Sequence, residues 1–156
     1  MNKKTVVITG AGSGIGRAIA QYFSELQDWN TVALVRATQK SVPNATYLGV
    51  NIASPHSVKQ TFSAISGLYG SIDLLINSAG VYMRKPFKEA STQDIDHIID
   101  TNVKGTMYCS LEAIKLMKSG GRIINIGSIS GLRGIASEAI YSASKHSLQG
   151  LSLIHI

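Results

Sequence analysis

The sequence predicts an α/β fold built on an open, doubly wound parallel sheet with its strands in the order 3-2-1-4-5. Short apolar or β-branched runs alternate with longer segments of helical periodicity along the chain. The first run, residues 5–9, leads directly into a glycine-rich loop and an amphipathic helix. At 156 residues and 44% apolar content, the chain has the length of one domain and can bury a substantial core.

The elements are predicted in chain order from these patterns. Five strands are expected at residues 5–9, 31–35, 47–51, 72–76 and 122–126. Helices are expected at 17–26, 55–68, 92–101 and 103–117, and around residue 141. Ser54 caps the second helix, and Met107, Leu111, Ile114 and Met117 form one apolar face of the fourth. Residues 37–44 are too few for a helical crossover and predict a loop or a single turn.

The loop after the first strand carries glycines at 10, 14 and 16, with an extra one at 12, and it also contains Ser13 and Ile15. A diphosphate needs backbone N–H groups that approach without side chains in the way, and the positive end of a helix directed at it. Glycines 10, 14 and 16 match the pattern G-x-x-x-G-x-G. The related fingerprint G-x-G-x-x-G is not matched, because Ile15 occupies its last glycine position. With its flanking strand and helix, the loop indicates nucleotide binding; the alternative is a merely structural turn.

Residues at three other strand ends are candidates for cofactor contact. Arg36 follows the second strand, and the next acidic residue is Asp73, so the charge balance favours NADP over NAD. Alternatively, Arg36 only caps the sheet edge. Asn51 and Ile52 are expected near the adenine. The small polar stretch Asn77-Ser78-Ala79-Gly80 permits close approach of a cofactor, although a structural turn explains it almost as well.

Three chemical groups are predicted to converge at the same edge of the sheet. Tyr141 and Lys145 are four residues apart on one helical face, and Ser128 follows the fifth strand. A phenol, with an ordinary pKa of about 10, is a poor proton-transfer group at neutral pH unless a nearby cation favours the phenolate. Lys145 supplies such a cation. The alternative is an amphipathic surface pair. Asn102 interrupts an apolar helix, where a local hydrogen bond and a bend are the simplest role.

The composition of the chain limits which binding partners and which cellular compartment are expected. The net charge of +6 is spread along the chain, which indicates a solvated basic surface rather than a nucleic-acid site. Cys109 is the single cysteine, so an internal disulfide and a cysteine metal cluster are excluded, and a core position is expected. No signal peptide or membrane-spanning stretch is recognisable, and we expect a soluble, cytoplasmic protein without membrane partners.

Taken together, these motifs resemble the short-chain dehydrogenase/reductase family, with its Rossmann-like fold, over nearly the whole chain. The cofactor loop Thr9–Gly16, the Asn77-Ser78-Ala79-Gly80 motif and the tetrad Asn102, Ser128, Tyr141 and Lys145 occur in the family's order and spacing. Ser78 replaces the second Asn of the family motif, and Asn51 replaces the aspartate common at the adenine edge.

The resemblance implies hydride transfer between a nicotinamide and a carbonyl or secondary alcohol. Tyr141 would give or take the proton, Ser128 would steady the substrate oxygen, and Lys145 would favour the phenolate and bind the nicotinamide ribose. Asn102 would hold a water that relays protons to Lys145. NADPH-linked carbonyl reduction is the expected direction with Arg36 present, and the parent enzyme is expected to be a homodimer or homotetramer acting on a small molecule.

We expect residues 1–150 to be the N-terminal portion of a single dinucleotide-binding domain. Family members continue past the Tyr-Lys helix with further strands, so a C-terminal truncation that leaves the fragment inactive is expected. Residues 151–156 match the translation of CTGTCTCTTATACACATC, the end of a transposon-based sequencing adapter, and we interpret them as a non-native tail. The alternative is a genuine helix end with His155 on the surface.

Two other functions fit parts of the pattern. A nucleotide-binding regulator of the same fold would lack NADPH oxidation across many carbonyl substrates. A basic nucleic-acid-binding module would show salt-dependent binding. The complete tetrad argues against the first alternative, and the dispersed charge argues against the second.

Overall fold

The computed structural model describes residues 3–36 and 42–152. Its strands are all parallel and lie in the order β3-β2-β1-β4-β5, which confirms the predicted fold class. The strands are β1 (Lys4–Thr9), β2 (Trp29–Val35), β3 (Ala45–Gly49), β4 (Ile72–Asn77) and β5 (Met117–Asn125). The sheet order reverses between β1 and β4, and in such folds ligands bind at the carboxyl ends of the strands beside that reversal.

The helices cover both faces of this sheet. They are α1 (Gly14–Glu25), α2 (Pro55–Tyr69), α3 (Thr92–Ile98), α4 (Thr106–Leu116) and α5 (Ala139–Ser152), with a π-helical segment at Ile99–Gly105. Short 3₁₀ turns occupy Phe87–Glu89 and Ile129–Gly131. The predicted cap of α2 is confirmed, because Ser54 accepts a hydrogen bond from the Ser57 N–H at 3.3 Å and Pro55 stands at the first helical position.

The core has two layers because successive strand residues point to opposite faces of the sheet. Val6 and Ile8 pack on the side of α1, against Ile19 and Phe23, whereas Val7 packs on the side of α2 and α4. The predicted inward residues of α2 are all buried: Val58, Phe62 and Ile65. Cys109 has the predicted core position, in the layer on the side of α2 and α4, and burial raises the pKa of its thiol to about 12.

The apolar face predicted for α4 is not the face that packs on the sheet. Met107 and Leu111 are 43% and 55% exposed, and the residues that face the sheet are the small Cys109, Ser110 and Ala113. A π-helical segment advances the chain by fewer degrees per residue than an α-helix, so the residues that follow it face a different direction. Small side chains on the inner face allow α4 to lie close to the sheet.

The boundary between α4 and β5 is also different from the prediction. The helix ends at Leu116, and β5 begins at Met117 instead of Arg122. The ladder pairs Ile72 with Met117 and then Leu74 with Arg122, so additional residues of β5 are accommodated in a bulge. Gly120 adopts φ +88° in this bulge, a conformation that glycine tolerates and other residues disfavour.

Residues 37–41 of the predicted loop and residues 153–156 of the predicted tail lie outside the described residues. Leu151 and Ser152 belong to α5, and the Ser152 hydroxyl accepts a hydrogen bond from the Asn125 amide at 3.0 Å. Within the described ranges, none of the helices has the length and apolar character that a membrane span requires.

Candidate active site

A cleft of about 810 Å³ opens at the carboxyl end of the sheet, beside the reversal between β1 and β4. It is bounded by the glycine loop after β1, the end of β2, the loop after β4 and the first turns of α5. This volume falls in the range of small-molecule and cofactor sites. These four segments therefore meet at one edge of the sheet.

The glycine loop has the features of a phosphate cradle. Ser13 stands at the N-cap of α1 but its side chain makes no capping hydrogen bond within the described chain, and the first turn carries no acidic residue. The first-turn N–H groups are thus available to an anion at the positive end of the helix. Gly14 lines the cleft at φ +52°, and a Cβ built there meets open space.

Gly10 and Gly16, two further glycines of the loop, are required by close packing. A Cβ on Gly10 would lie 2.7 Å from the Ala79 Cα, and a Cβ on Gly16 would lie 2.4 Å from the Gly10 carbonyl oxygen. Thr9 holds the facing loop in place, because its hydroxyl accepts hydrogen bonds from the N–H groups of Ser78 and Ala79 at 3.1 and 3.0 Å. The residues present therefore fit a dinucleotide diphosphate.

The end of the cleft beyond β2 combines a cation with apolar walls. Arg36 is exposed and lines the cleft where β2 ends. Val50 and Ile52 also line it and offer apolar surface suited to a base. Asn51 was predicted to lie near the adenine, but it is not among the cleft-lining residues of the described chain. Its side chain accepts a hydrogen bond from the Ala53 N–H at 3.1 Å.

Asn77 lies beneath the cleft and does not form part of its described wall. Its amide donates to the Ser110 hydroxyl at 3.1 Å and to the Asn125 side chain at 2.9 Å. These bonds tie β4 to β5 and α4. Ala79 and Gly80, two residues further on, do line the cleft.

Tyr141 and Lys145 both face the cleft from α5. The Lys145 Nζ lies 5.9 Å from the centroid of the Tyr141 ring and donates to the Ile126 carbonyl oxygen at 3.0 Å. Lys145 is buried, and burial lowers the pKa of its amine from the ordinary value. The pair is thus a feature of the cleft wall and not of the solvated outer surface.

Asn102 lies at the centre of the π-helical segment and is fully buried. Its side chain accepts from the Val81 N–H at 2.8 Å and donates to the Val81 carbonyl at 2.9 Å and to the Ser144 hydroxyl at 3.0 Å. Its Oδ1 would be 3.3 Å from a Cβ at Gly80. Asn102 therefore joins the loop after β4 to α5.

Ser128 caps the 3₁₀ turn after β5, and its Oγ accepts from the Ser130 N–H at 3.2 Å. This turn packs tightly on α5, since a Cβ on Gly131 would be 2.8 Å from the Lys145 carbonyl oxygen. Ser128 itself is outside the cleft lining of the described chain, whereas Ile126 and Gly127, immediately before it, are part of the lining.

Sequence reasoning missed several residues at this site. Tyr82 lines the cleft, and its hydroxyl donates to Glu138 at 2.7 Å. Val50 and Thr101 were also missed as cleft residues. The position of Val50 at a strand end and the acidic Glu138 three residues before Tyr141 are signals that the sequence contains. Tyr82 carries no signal of its own, because only the fold brings it beside α5.

The fold and the cleft define a dinucleotide-binding α/β protein. Residues 4–154 match the model of the short chain dehydrogenase family, and the chain belongs to that family. It is 34% identical over 164 residues to a 3beta-hydroxysteroid dehydrogenase of Mediterraneibacter gnavus, covering 97% of this chain and 59% of that protein. It is 35% identical over 160 residues to a meso-2,3-butanediol dehydrogenase of Serratia marcescens, covering 97% of this chain and 63% of that protein.

A solved structure, ElxO with NADP bound, superposes with a TM-score of 0.88 at 31% identity and covers 96% of this chain and 65% of that one. The chain therefore spans about three fifths of the length of these relatives.

Proposed function

We propose that this protein is an NADP-linked oxidoreductase that interconverts a carbonyl and a secondary alcohol. The observation that carries the proposal is the joint presence of Tyr141 and Lys145 on the wall of the cleft that begins at the glycine loop. The two curated relatives are named as dehydrogenases of a hydroxysteroid and of a butanediol, which supports a hydroxyl-bearing small molecule as substrate.

The chain's own residues have distinct tasks in this reaction. The glycine loop and Lys145 would hold a reduced nicotinamide cofactor, which would supply the hydride that the carbonyl carbon accepts. Tyr141 gives its hydroxyl proton to the substrate oxygen as that oxygen gains negative charge. The ammonium of Lys145 stabilises the phenolate left on Tyr141, and it also binds the nicotinamide ribose. Ser128 donates a hydrogen bond that steadies the substrate oxygen.

Asn102 has two tasks in this proposal. Its amide bonds to Val81 and Ser144 hold the loop after β4 against α5. Its Oδ1 accepts one hydrogen bond within the described chain, from the Val81 N–H, and an amide oxygen has two lone pairs. We assign one of these lone pairs to a water that passes protons to Lys145.

The preference for NADP rests on the charge at the end of β2. Arg36 lines the cleft there, and a guanidinium pairs well with a 2′-phosphate. The solved relative with NADP bound supports the same cofactor class. The glycine loop, with Gly10, Ser13, Gly14, Ile15 and Gly16, is assigned to the diphosphate.

The direct test measures NADPH oxidation and NADP reduction by the complete gene product with a panel of ketones and secondary alcohols. Turnover with at least one pair of substrates is expected. A protein that binds NADPH but turns over none of them would be the regulator of the same fold. A protein that binds neither nicotinamide cofactor would contradict the proposal.

Replacing Arg36 by Asp is expected to shift cofactor preference from NADP towards NAD. The carboxylate accepts a hydrogen bond from a ribose 2′-hydroxyl and repels a 2′-phosphate, so kcat/KM with NADP should fall by about 10- to 100-fold relative to NAD. The ratio of kcat/KM for the two cofactors is the measurement. Arg17→Asp, one turn inside α1, is the control for a loss of positive charge, and an unchanged ratio in Arg36→Asp would remove Arg36 from its role.

We also propose a homodimer or homotetramer for the active enzyme. The outward face of α4, with Met107 and Leu111, provides exposed apolar surface of the kind that subunit contacts bury. Molecular mass in solution, measured over a range of concentrations, tests this assignment.

A further inference from the structure

Glu138 is a buried carboxylate that the proposed mechanism does not use. It is only 7% exposed and stands at the start of α5, three residues before Tyr141. Both of its oxygens have partners, because Oε1 accepts from the Tyr82 hydroxyl and Oε2 from the Ser130 hydroxyl, each at 2.7 Å. Such a fully satisfied buried carboxylate fixes the groups that bond to it.

One of those groups contacts the proposed catalytic ring. The ring of Tyr82 packs edge-to-face on the ring of Tyr141, with centroids 4.9 Å apart and planes 85° from parallel. Tyr82 is otherwise 60% exposed, so its hydroxyl bond to Glu138 is what holds the ring in this orientation. A continuous contact therefore runs from Glu138 through Tyr82 to Tyr141.

Glu138 also joins three segments around the cleft. Its carbonyl accepts the Ser142 N–H in the first turn of α5 at 2.7 Å, and Ser130 belongs to the turn after β5. The preceding residue, Ser137, has φ +66° and accepts the Lys85 N–H at 2.7 Å, which draws the loop after β4 to the same point. A non-glycine residue at positive φ persists where its surroundings hold it there.

The network also separates the roles of the two neighbouring phenols. The hydrogen bond to Glu138 raises the pKa of Tyr82, so that hydroxyl remains a proton donor committed to the carboxylate. The hydrogen bond from Ser130, which has the largest effect, and the one from Tyr82 lower the pKa of Glu138, so its carboxyl group stays ionised. Because both oxygens of Glu138 accept from other hydroxyls, Tyr141 lines the cleft without a bond to Glu138.

We propose that Glu138 is a positioning residue that holds Tyr141 in its reactive orientation by anchoring the ring of Tyr82. This inference rests on the proposed function, since it concerns the same proton transfer. It assigns no contact with substrate to Glu138. Its effect is expected in kcat, because misplacement of a reacting group impairs the chemical step more than binding.

The decisive comparison is between Tyr82→Phe and Tyr69→Phe in the complete gene product. Each change removes one tyrosine hydroxyl with a 2.7 Å side-chain hydrogen bond, but Tyr69 bonds to Thr46, away from the cleft. We expect Tyr82→Phe to lower kcat by about 10-fold with unchanged KM for NADPH, and Tyr69→Phe to leave both unchanged. The two variants should have similar Tm. Equal kcat values in the two variants would overturn the proposal.

Substitutions at Glu138 supply a rescue test. Glu138→Ala removes both hydrogen bonds and should lower kcat at least as much as Tyr82→Phe. Glu138→Gln keeps polar atoms at both positions and should restore most of that loss. A Gln variant as impaired as the Ala variant would show that hydrogen-bonded placement of Tyr82 is not the cause. If Glu138→Ala fails to fold, the Tyr82→Phe comparison still decides.

A measurement that does not need activity separates this inference from the proposed function. NMR of protein with labelled tyrosine rings measures the rate at which the Tyr141 ring flips. We expect this rate to rise in Tyr82→Phe and to rise less in Glu138→Gln. In Tyr69→Phe it should equal the rate in the unaltered protein. Absent turnover in the unaltered protein would defeat the proposed function alone. An unchanged Tyr141 flip rate in Tyr82→Phe would defeat the positioning role alone.

Discussion

Replacement of Tyr141 by Phe is expected to abolish turnover while cofactor binding is largely retained. The change removes the hydroxyl that gives or takes the proton but keeps the ring that packs on Tyr82. General acid–base groups contribute about 10²- to 10⁴-fold to a rate, so activity should fall into the background of the assay. Binding of NADPH should change little, because the glycine loop and Lys145 remain.

The measurement is kcat with the best substrate of the panel, together with the Kd of NADPH from fluorescence. Tyr22→Phe is a matched control, since Tyr22 is exposed on the outer side of α1 and its hydroxyl is remote from the cleft. Activity in Tyr141→Phe comparable to that of Tyr22→Phe would remove Tyr141 from the proton transfer.

A methyl group at Gly16 is expected to disrupt the diphosphate cradle. Its Cβ would stand 2.4 Å from the Gly10 oxygen and 2.8 Å from the Gly10 carbonyl carbon, and both are backbone atoms that cannot rotate away. The loop or the start of α1 must shift. Gly16→Ala should therefore cost about 1–3 kcal/mol of unfolding free energy and weaken NADPH binding by at least about 10-fold.

Gly67→Ala is the matched control, because Gly67 is also a helical glycine and a Cβ there meets open space. That change should stabilise the protein by about 0.5–1 kcal/mol, since alanine favours a helix over glycine. Chemical unfolding and NADPH titration of both variants are the measurements. If Gly16→Ala bound NADPH as tightly as Gly67→Ala, the loop would not approach the diphosphate as proposed.

Local patterns in the sequence were sufficient for most of the architecture. The short β-branched run Thr5–Thr9 predicted the first strand, and Ser54 with Pro55 predicted the start of α2. These features depend on side-chain periodicity and on hydrogen bonds between near neighbours, which a sequence shows directly. The strand order followed from short connections and right-handed crossovers.

The structure brings some, but not all, of the predicted site residues together. Gly10, Gly14, Arg36, Tyr141 and Lys145 were predicted to share one edge of the sheet, and the structure places them around one cleft. The assignment of each residue to substrate or cofactor stays a prediction. Val50 and Tyr82 were missed because cleft-lining residues are defined by shape, and shape depends on segments distant in sequence.

The region of α4 and β5 shows which parts of the fold could not be predicted from the sequence pattern. The spacing of Met107, Leu111, Ile114 and Met117 predicted one apolar face, but the small residues Cys109, Ser110 and Ala113 are the ones that face the sheet. The π-helical segment before α4 contains the buried Asn102, whose side chain bonds to Val81 and Ser144 from other parts of the chain. The bulge before Arg122 likewise depends on the ladder with β4.

The sequence by itself determined the parallel α/β architecture, the glycine loop and the Tyr141–Lys145 pair, because each is indicated by patterns among residues that are close together in the chain. The tertiary structure decided which face of α4 is buried, which residues line the cleft and that Glu138 and Tyr82 adjoin Tyr141. Those properties arise from contacts between residues far apart in the sequence, such as Tyr82 and Glu138, which are 56 positions apart, and such contacts form only when the chain folds.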